Sequence, residues 1–178
     1  MATGALQTDY VAMPIGTEEE GRAMIGYTTD PVLADVPIDL GVSLALSAVL
    51  EDPNPVYWDA ELSESIWGAR VVAAAVLKAF FCGLPWCPGE KPMLGSVAAN
   101  ALSLPANTLI NVGAEETYHR PLRVGDWLTF TEQIVSISEK KRTALGRGFF
   151  ITTHIEWRDQ DGELVAEGNN VLLRYTAE

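Results

Sequence analysis

Histidine and cysteine are almost missing from this chain, with two of each in 178 residues. Cys82 and Cys87 stand in a C-x4-C spacing with no second pair, so a zinc-finger ligand set or a disulfide framework is excluded and a buried thiol pair is expected. With only His119 and His154, proton transfer by imidazole has two possible sources. Basic side chains are also scarce, 12 Lys and Arg against 24 Asp and Glu. The resulting net charge of −12 opposes binding to nucleic acid, whose phosphates require a basic patch, and to an anionic membrane surface. No apolar run approaches the roughly 20 residues that span a bilayer. Residues 1–21 lack the basic start and apolar centre of a secretion signal, and a cytoplasmic location is expected. A nucleophile elbow, a phosphate loop and metal-ligand spacing are all absent, so no metal is expected.

What remains is enough for one folded domain. The length supports one core, and 48% hydrophobic with 20% charged residues is a globular balance. Residues 1–21 read as a tail, with Thr17-Glu18-Glu19-Glu20 as a solvated run or a cap, and 22–178 as the domain. A short strand is expected at 24–29. Apolar spacing over 39–50, with Asp39 as N-cap, predicts a helix that ends before the turn at 52–55. The strongest helical run is 66–81, apolar on nearly every face, with Gly83 as its C-cap. Residues 85–107 are rich in Pro and Gly and read as a lid or binding loop. Strands are expected at 108–118, 127–138, 145–157 and 164–175, with Asp159-Gln160-Asp161-Gly162 as a hairpin turn. Short connections make this second half an antiparallel meander. Helices followed by strands give an α+β class, with the apolar helix against the sheet.

The chemistry-bearing stretch is Asp52-Pro53-Asn54-Pro55-Val56-Tyr57. Asp, Asn and two Pro build a rigid exposed turn, in which a carboxylate either works as an acid or base or caps its own backbone. Three blocks together resemble the MaoC-like hydratase/dehydratases, in particular the FAS1-like N-terminal dehydratase branch. They are Glu51 to Trp58, similar to a D-x-N-P-(I/L/V)-H motif except at its last position; Trp67-Gly68 leading into the apolar helix; and Tyr118-His119-Arg120-Pro121-Leu122-Arg123-Val124-Gly125-Asp126. Asp161-Gly162-Glu163-Leu164-Val165-Ala166-Glu167 suits the final hairpin of that family.

The resemblance implies a single hot-dog domain, a long central helix wrapped by a curved antiparallel sheet, pairing with a second such unit. It implies reversible hydration of a trans-2-enoyl thioester to the 3-hydroxyacyl thioester, with acyl-CoA as substrate and no separate cofactor. Water addition needs a base, an acid and donors for the enolate oxygen. On the family pattern Asp52 is the catalytic carboxylate, Tyr57 stands where the His belongs, and Asn54, Trp67, Gly68, Ala74 and Ala75 contact substrate. The helix N-terminus at 72–75 supplies backbone donors. A tyrosine of ordinary pKa near 10 is protonated at neutral pH and cannot replace a readily recharged imidazole, so packing is expected of it. His119 is expected to be structural and His154 to lie on a solvated or interface face. Arg120, Arg123, Arg142, Arg147 and Lys140-Lys141 are either phosphate contacts or solvated charge. The apolar part of 86–104 lines an acyl tunnel or packs as a surface loop.

The missing His therefore suggests the substrate-tunnel subunit of a heterodimeric or heterotetrameric enoyl-CoA hydratase, working beside a MaoC-like subunit with an intact motif, on bulky acyl chains of the steroid or long fatty acyl kind. A self-sufficient homodimeric hydratase or thioesterase using Asp52, and a non-catalytic acyl-thioester-binding module, are the alternatives.

Overall fold

The computed structural model describes residues 13–81, 84, 88 and 96–177, with no side chain for Phe81. Cys82, Gly83 and Cys87, and the part of the expected 85–107 lid at 85–95 apart from Pro88, lie outside them. Among the described residues no helix is long and apolar enough to cross a membrane.

The first half forms short, well-capped helices. Thr17 and Glu20 close a capping box over α1 (Glu18–Ala23), so the Thr-Glu-Glu-Glu run is a helix start. This helix straddles the expected tail boundary: Gly21 is buried, and Arg22 donates to the carbonyls of Ile137 and Ser138. Residues 24–29 form a turn rather than a strand, with one bridge from Thr28 to Gln133. Asp39 caps α2 (Leu40–Val49) through the N–H of Val42, as expected. After it come α3 (Pro55–Trp58) and α4 (Ala60–Trp67), the latter capped by Asp59.

The expected single helix over 66–81 is corrected. Gly68 adopts φ +67° and ends α4 in the left-handed conformation that glycine tolerates best. The β-branched Val71 and Val72 then run extended: Val71 bridges Arg123, and the Val72 N–H donates to Leu122. The helical path resumes only with a 3-10 turn (Ala74–Val76) and α5 (Leu77–Phe81). A second short helix, α6 (Val97–Ala101), occupies part of the region read as loop.

The strand reading of the second half holds closely. The sheet contains β1 (Val32–Leu33), β2 (Thr108–Tyr118), β3 (Thr129–Ile137), β4 (Lys141–Thr143), β5 (Gly146–Arg158) and β6 (Leu164–Thr176). The Asp159–Gly162 turn is present, with Gly162 at φ +81° and Asp159 Oδ1 accepting the N–H groups of Asp161 and Glu163. The meander is not continuous, however. The order is β1-β3-β5-β6-β2, every recorded pairing is antiparallel, and β4 joins β5 alone. β2 therefore crosses to the far edge instead of pairing with β3.

One face of β5 carries both cores. Ile155 and Trp157 pack with Val72, Val76, Leu77 and Phe80 from α5 and its approach. Phe149 and Ile151 pack with Ala98, Leu102 and Leu104 around α6. Those last residues are buried core, so the C-terminal end of the expected acyl-tunnel stretch is packing.

Candidate active site

The motif turn is a relay of local caps. Leu50 ends α2, and Glu51 takes φ +53°, an uncommon position for a residue with a Cβ. Glu51 N–H donates to Ala48 and Asp52 N–H to Ser47, the paired bonds of a Schellman motif with Glu in the place usually taken by Gly. Asp52 Oδ1 accepts the N–H of Asn54 at 3.0 Å, and Asn54 Oδ1 accepts that of Val56 at 3.2 Å, starting α3 with Pro55 in its first turn. Trp58 Nε1 closes the turn on the Asp52 carbonyl at 2.8 Å. Asp52 thus has a defined backbone partner within its own turn.

A cavity of about 550 Å³ lies beside this turn. That size suits a small-molecule site. Asn54, Tyr57, Trp67 and Ala74 line it; Asp52, Gly68 and Ala75 do not appear in its wall. The rest of the wall is mainly apolar, including Val56, Ile66, Val71, Val72 and Leu122. Tyr57 packs against the α5 core, and its carbonyl accepts Arg70 Nη2 at 2.8 Å.

Three polar residues at the end of β2 and just after it complete the wall: Tyr118, His119 and Arg120. The Tyr118 hydroxyl donates to the Ala74 carbonyl at 3.0 Å. Burial, with Glu116 close by, pushes its pKa up to about 12, so it stays a donor. His119 Nε2 lies 3.0 Å from Glu167 Oε1. Arg120 is buried in a carboxylate cage, 2.7 Å from Asp126, 2.7 Å from Asp159 and 3.3 Å from Glu163. Burial disfavours its charge, but the hydrogen bonds to Asp126 and Asp159 outweigh that and hold it above its ordinary pKa. Those internal partners make Arg120 a structural cation rather than a phosphate contact. Arg142 and Arg147 sit opposite one another on β4 and β5, and Lys141 lies over the Phe150 ring at 5.7 Å.

Sequence reading missed Tyr118 and gave His119 a purely structural role. Both belong to the Tyr-His-Arg-Pro-Leu block, and its place among the blocks that carry the family resemblance was the available signal. His154 lies half-buried on β5, alternating with buried Thr153 and Ile155 as expected.

A family described as the FAS1-like dehydratase domain region matches residues 23–168. The chain belongs to that family. Its fold is the hot dog of the MaoC-like dehydratases. Over 164 residues the FAS1-like chain is 33% identical to a probable enoyl-CoA hydratase alpha subunit of Thermomonospora curvata, covering 89% of this chain and 51% of that protein. It is 28% identical over 147 residues to the 3-oxo-4,17-pregnadiene-20-carboxyl-CoA hydratase alpha subunit of Mycobacterium tuberculosis, covering 82% and 47%. The chain thus spans about half the length of these curated relatives. Among solved structures it is similar to the ChsH1-ChsH2 complex from Mycobacterium tuberculosis, with 25% identity, a TM-score of 0.68, and coverage of 90% of this chain and 92% of that one.

Proposed function

We propose that this chain is the acyl-holding subunit of a heteromeric enoyl-CoA hydratase/dehydratase, which interconverts trans-2-enoyl and 3-hydroxyacyl thioesters in the cytoplasm. The observation that carries the reading is the combination at the motif turn. Tyr57 occupies the position of the family His, and the Asp52 carboxylate holds the Asn54 N–H outside the cavity wall. The cavity itself is intact and mostly apolar, as holding an acyl chain requires. The relatives named as alpha subunits and the likeness to a two-component complex support a second hot-dog partner. The β2 edge, where Val112 is 46% exposed, offers unpaired backbone for such a partner.

In this reading the partner contributes the Asp and His that activate water. This chain contributes Asn54, Trp67 and the start of the helical path at Ala74, whose N–H has no intrahelical acceptor and suits a thioester carbonyl. The chemistry is acid-base only and calls for no redox cofactor.

The test is hydration of short and long trans-2-enoyl-CoA by this chain alone, by a MaoC-like subunit with a complete motif alone, and by the two together. Activity confined to the pair, and retained with Asp52→Ala in this chain, is the expected result. Full turnover by the isolated chain overturns the reading. The second reading, a self-sufficient enzyme, draws on His119 at the cavity wall, an imidazole 3.0 Å from the Glu167 carboxylate that orients it. Activity of the isolated chain that disappears with His119→Ala selects it.

A further inference from the structure

Both histidines of the chain converge on one carboxylate. His119 Nε2 lies 3.0 Å from Glu167 Oε1, and His154 Nε2 lies 3.6 Å from Glu167 Oε2. Glu167 stands directly across the β5–β6 ladder from Glu156, a like-charge pairing that is unfavourable without a counter-charge. One ligand atom each from His154, Glu156 and Glu167 falls within 4.8 Å of the others, and all three side chains are half-buried.

The hydrogen bonds around this group determine what it presents. His154 Nδ1 is 3.1 Å from the amide oxygen of Asn169, an acceptor that suits the tautomer with its proton on Nδ1. In the neutral ring, Nε2 is then a bare lone pair turned toward Glu167. His119 must donate through Nε2, since a carboxylate oxygen only accepts, and it thereby fixes Glu167 Oε1. Arg158 Nη2 donates to Glu156 Oε2 at 2.8 Å and fixes the orientation of that carboxylate. A cation placed between the His154 nitrogen and the carboxylate oxygens within 4.8 Å of it would be ligated by all three side chains.

We propose that His154, Glu156 and Glu167 form a binding site for a divalent transition cation of the zinc kind. His119 and Asn169 act as positioning residues, orienting Glu167 and His154 through the second hydrogen-bonding position of each. One imidazole with two carboxylates suits Zn²⁺ better than Mg²⁺ or Ca²⁺, which favour oxygen-only ligation. Spacing along the chain conceals the site, because two ligands lie on β5, the third on β6, and the orienting His119 follows β2. The proposal is independent of the hydratase reading.

The test uses the full chain, stripped with a chelator and titrated with zinc chloride by calorimetry, with magnesium chloride in parallel. One saturable zinc per chain is expected, with no comparable magnesium binding. His154→Asn and Glu167→Gln each weaken zinc binding by about tenfold or more and abolish the zinc-induced rise in melting temperature. Glu156→Gln replaces the carboxylate by an amide of the same shape that can still accept from Arg158, so it supplies a folded variant that loses zinc affinity. Absence of saturable binding, or unchanged affinity in Glu156→Gln and His154→Asn, overturns the proposal.

Discussion

The two halves of one sheet face are filled in opposite ways. Toward the end carrying Ile155 and Trp157, α5 packs an apolar core and leaves a cavity open at its side. Toward the end carrying Phe149 and Ile151, α6 packs over the face, and two fully buried charges hold it. Glu132 accepts Ser96 Oγ at 2.5 Å and the Ala98 N–H at 2.8 Å, at the N-terminus of α6. Arg174 donates to the carbonyls of Leu102 and Ala106, just past its C-terminus, and to that of Pro14. A carboxylate at the N-terminal end and a guanidinium at the C-terminal end match the sign of the helix dipole. Thr153, buried with a hydroxyl that has no hydrogen-bond partner among the described residues, lies on β5 between the two halves. The contrast shows where this fold invests rigidity: charge is buried against backbone in the closed half, and the open half keeps its polar groups at a cavity wall.

The largest test of this contrast is Arg174→Met. Three backbone carbonyls lose their donor, at about 1–3 kcal/mol each where buried, so thermal unfolding is expected roughly 10 °C lower. Unchanged melting would remove the distinction between the halves. Next is Arg120→Ala, beside the cavity, which leaves Asp126 and Asp159 without their cation and costs about 3 kcal/mol at neutral pH. Burial raises the Asp159 pKa, but Arg120 and two backbone N–H groups together bring it below its ordinary 3.8. A depressed carboxyl pKa stabilises the fold above the unfolded value and ceases to do so as pH falls through the folded one. The gap between wild type and Arg120→Ala, followed by denaturant unfolding, is therefore expected to close below about pH 4.

Tyr118→Phe tests the cavity wall more gently, at about 1 kcal/mol for the bond to Ala74. The raised tyrosine pKa stabilises fully below 10, and that contribution is lost as pH climbs toward about 12. Alkaline unfolding curves of the Phe variant should be flatter over that range, and ultraviolet titration should lack one late-ionising phenol. Glu51→Gly carries the smallest effect: relief of the left-handed strain, partly offset by a looser unfolded chain, should raise stability by up to about 1 kcal/mol. A loss of stability there would show that the Glu51 side chain holds the turn in a way its backbone does not reveal.

Much of the fold was legible because its signals are short-ranged. The strands β2, β3, β5 and β6 fall almost at the expected residues, set off by turn residues such as Asp161-Gly162, and Asp39 and Asp159 act as caps within a few positions of themselves. The helix at 66–81 misled because an apolar run says how much is buried and not in which conformation. Gly68 and the valines at 71 and 72 divide it. At the site, Asn54, Tyr57, Trp67 and Ala74 came out together on one cavity wall, while Tyr118 and His119 reached it from another part of the sheet.

By itself the sequence determined the α+β class, the strands of the second half, and a motif turn that ends in Tyr57 where the family pattern ends in His. These depend on residue type and on spacings of a few positions, which the chain carries locally. Tertiary structure alone decided that β2 crosses to the sheet edge, that Arg174 reaches carbonyls 68 and 160 positions away, and that both histidines meet Glu167. Those outcomes depend on strand register, since shifting a strand by one residue sends every side chain to the opposite face.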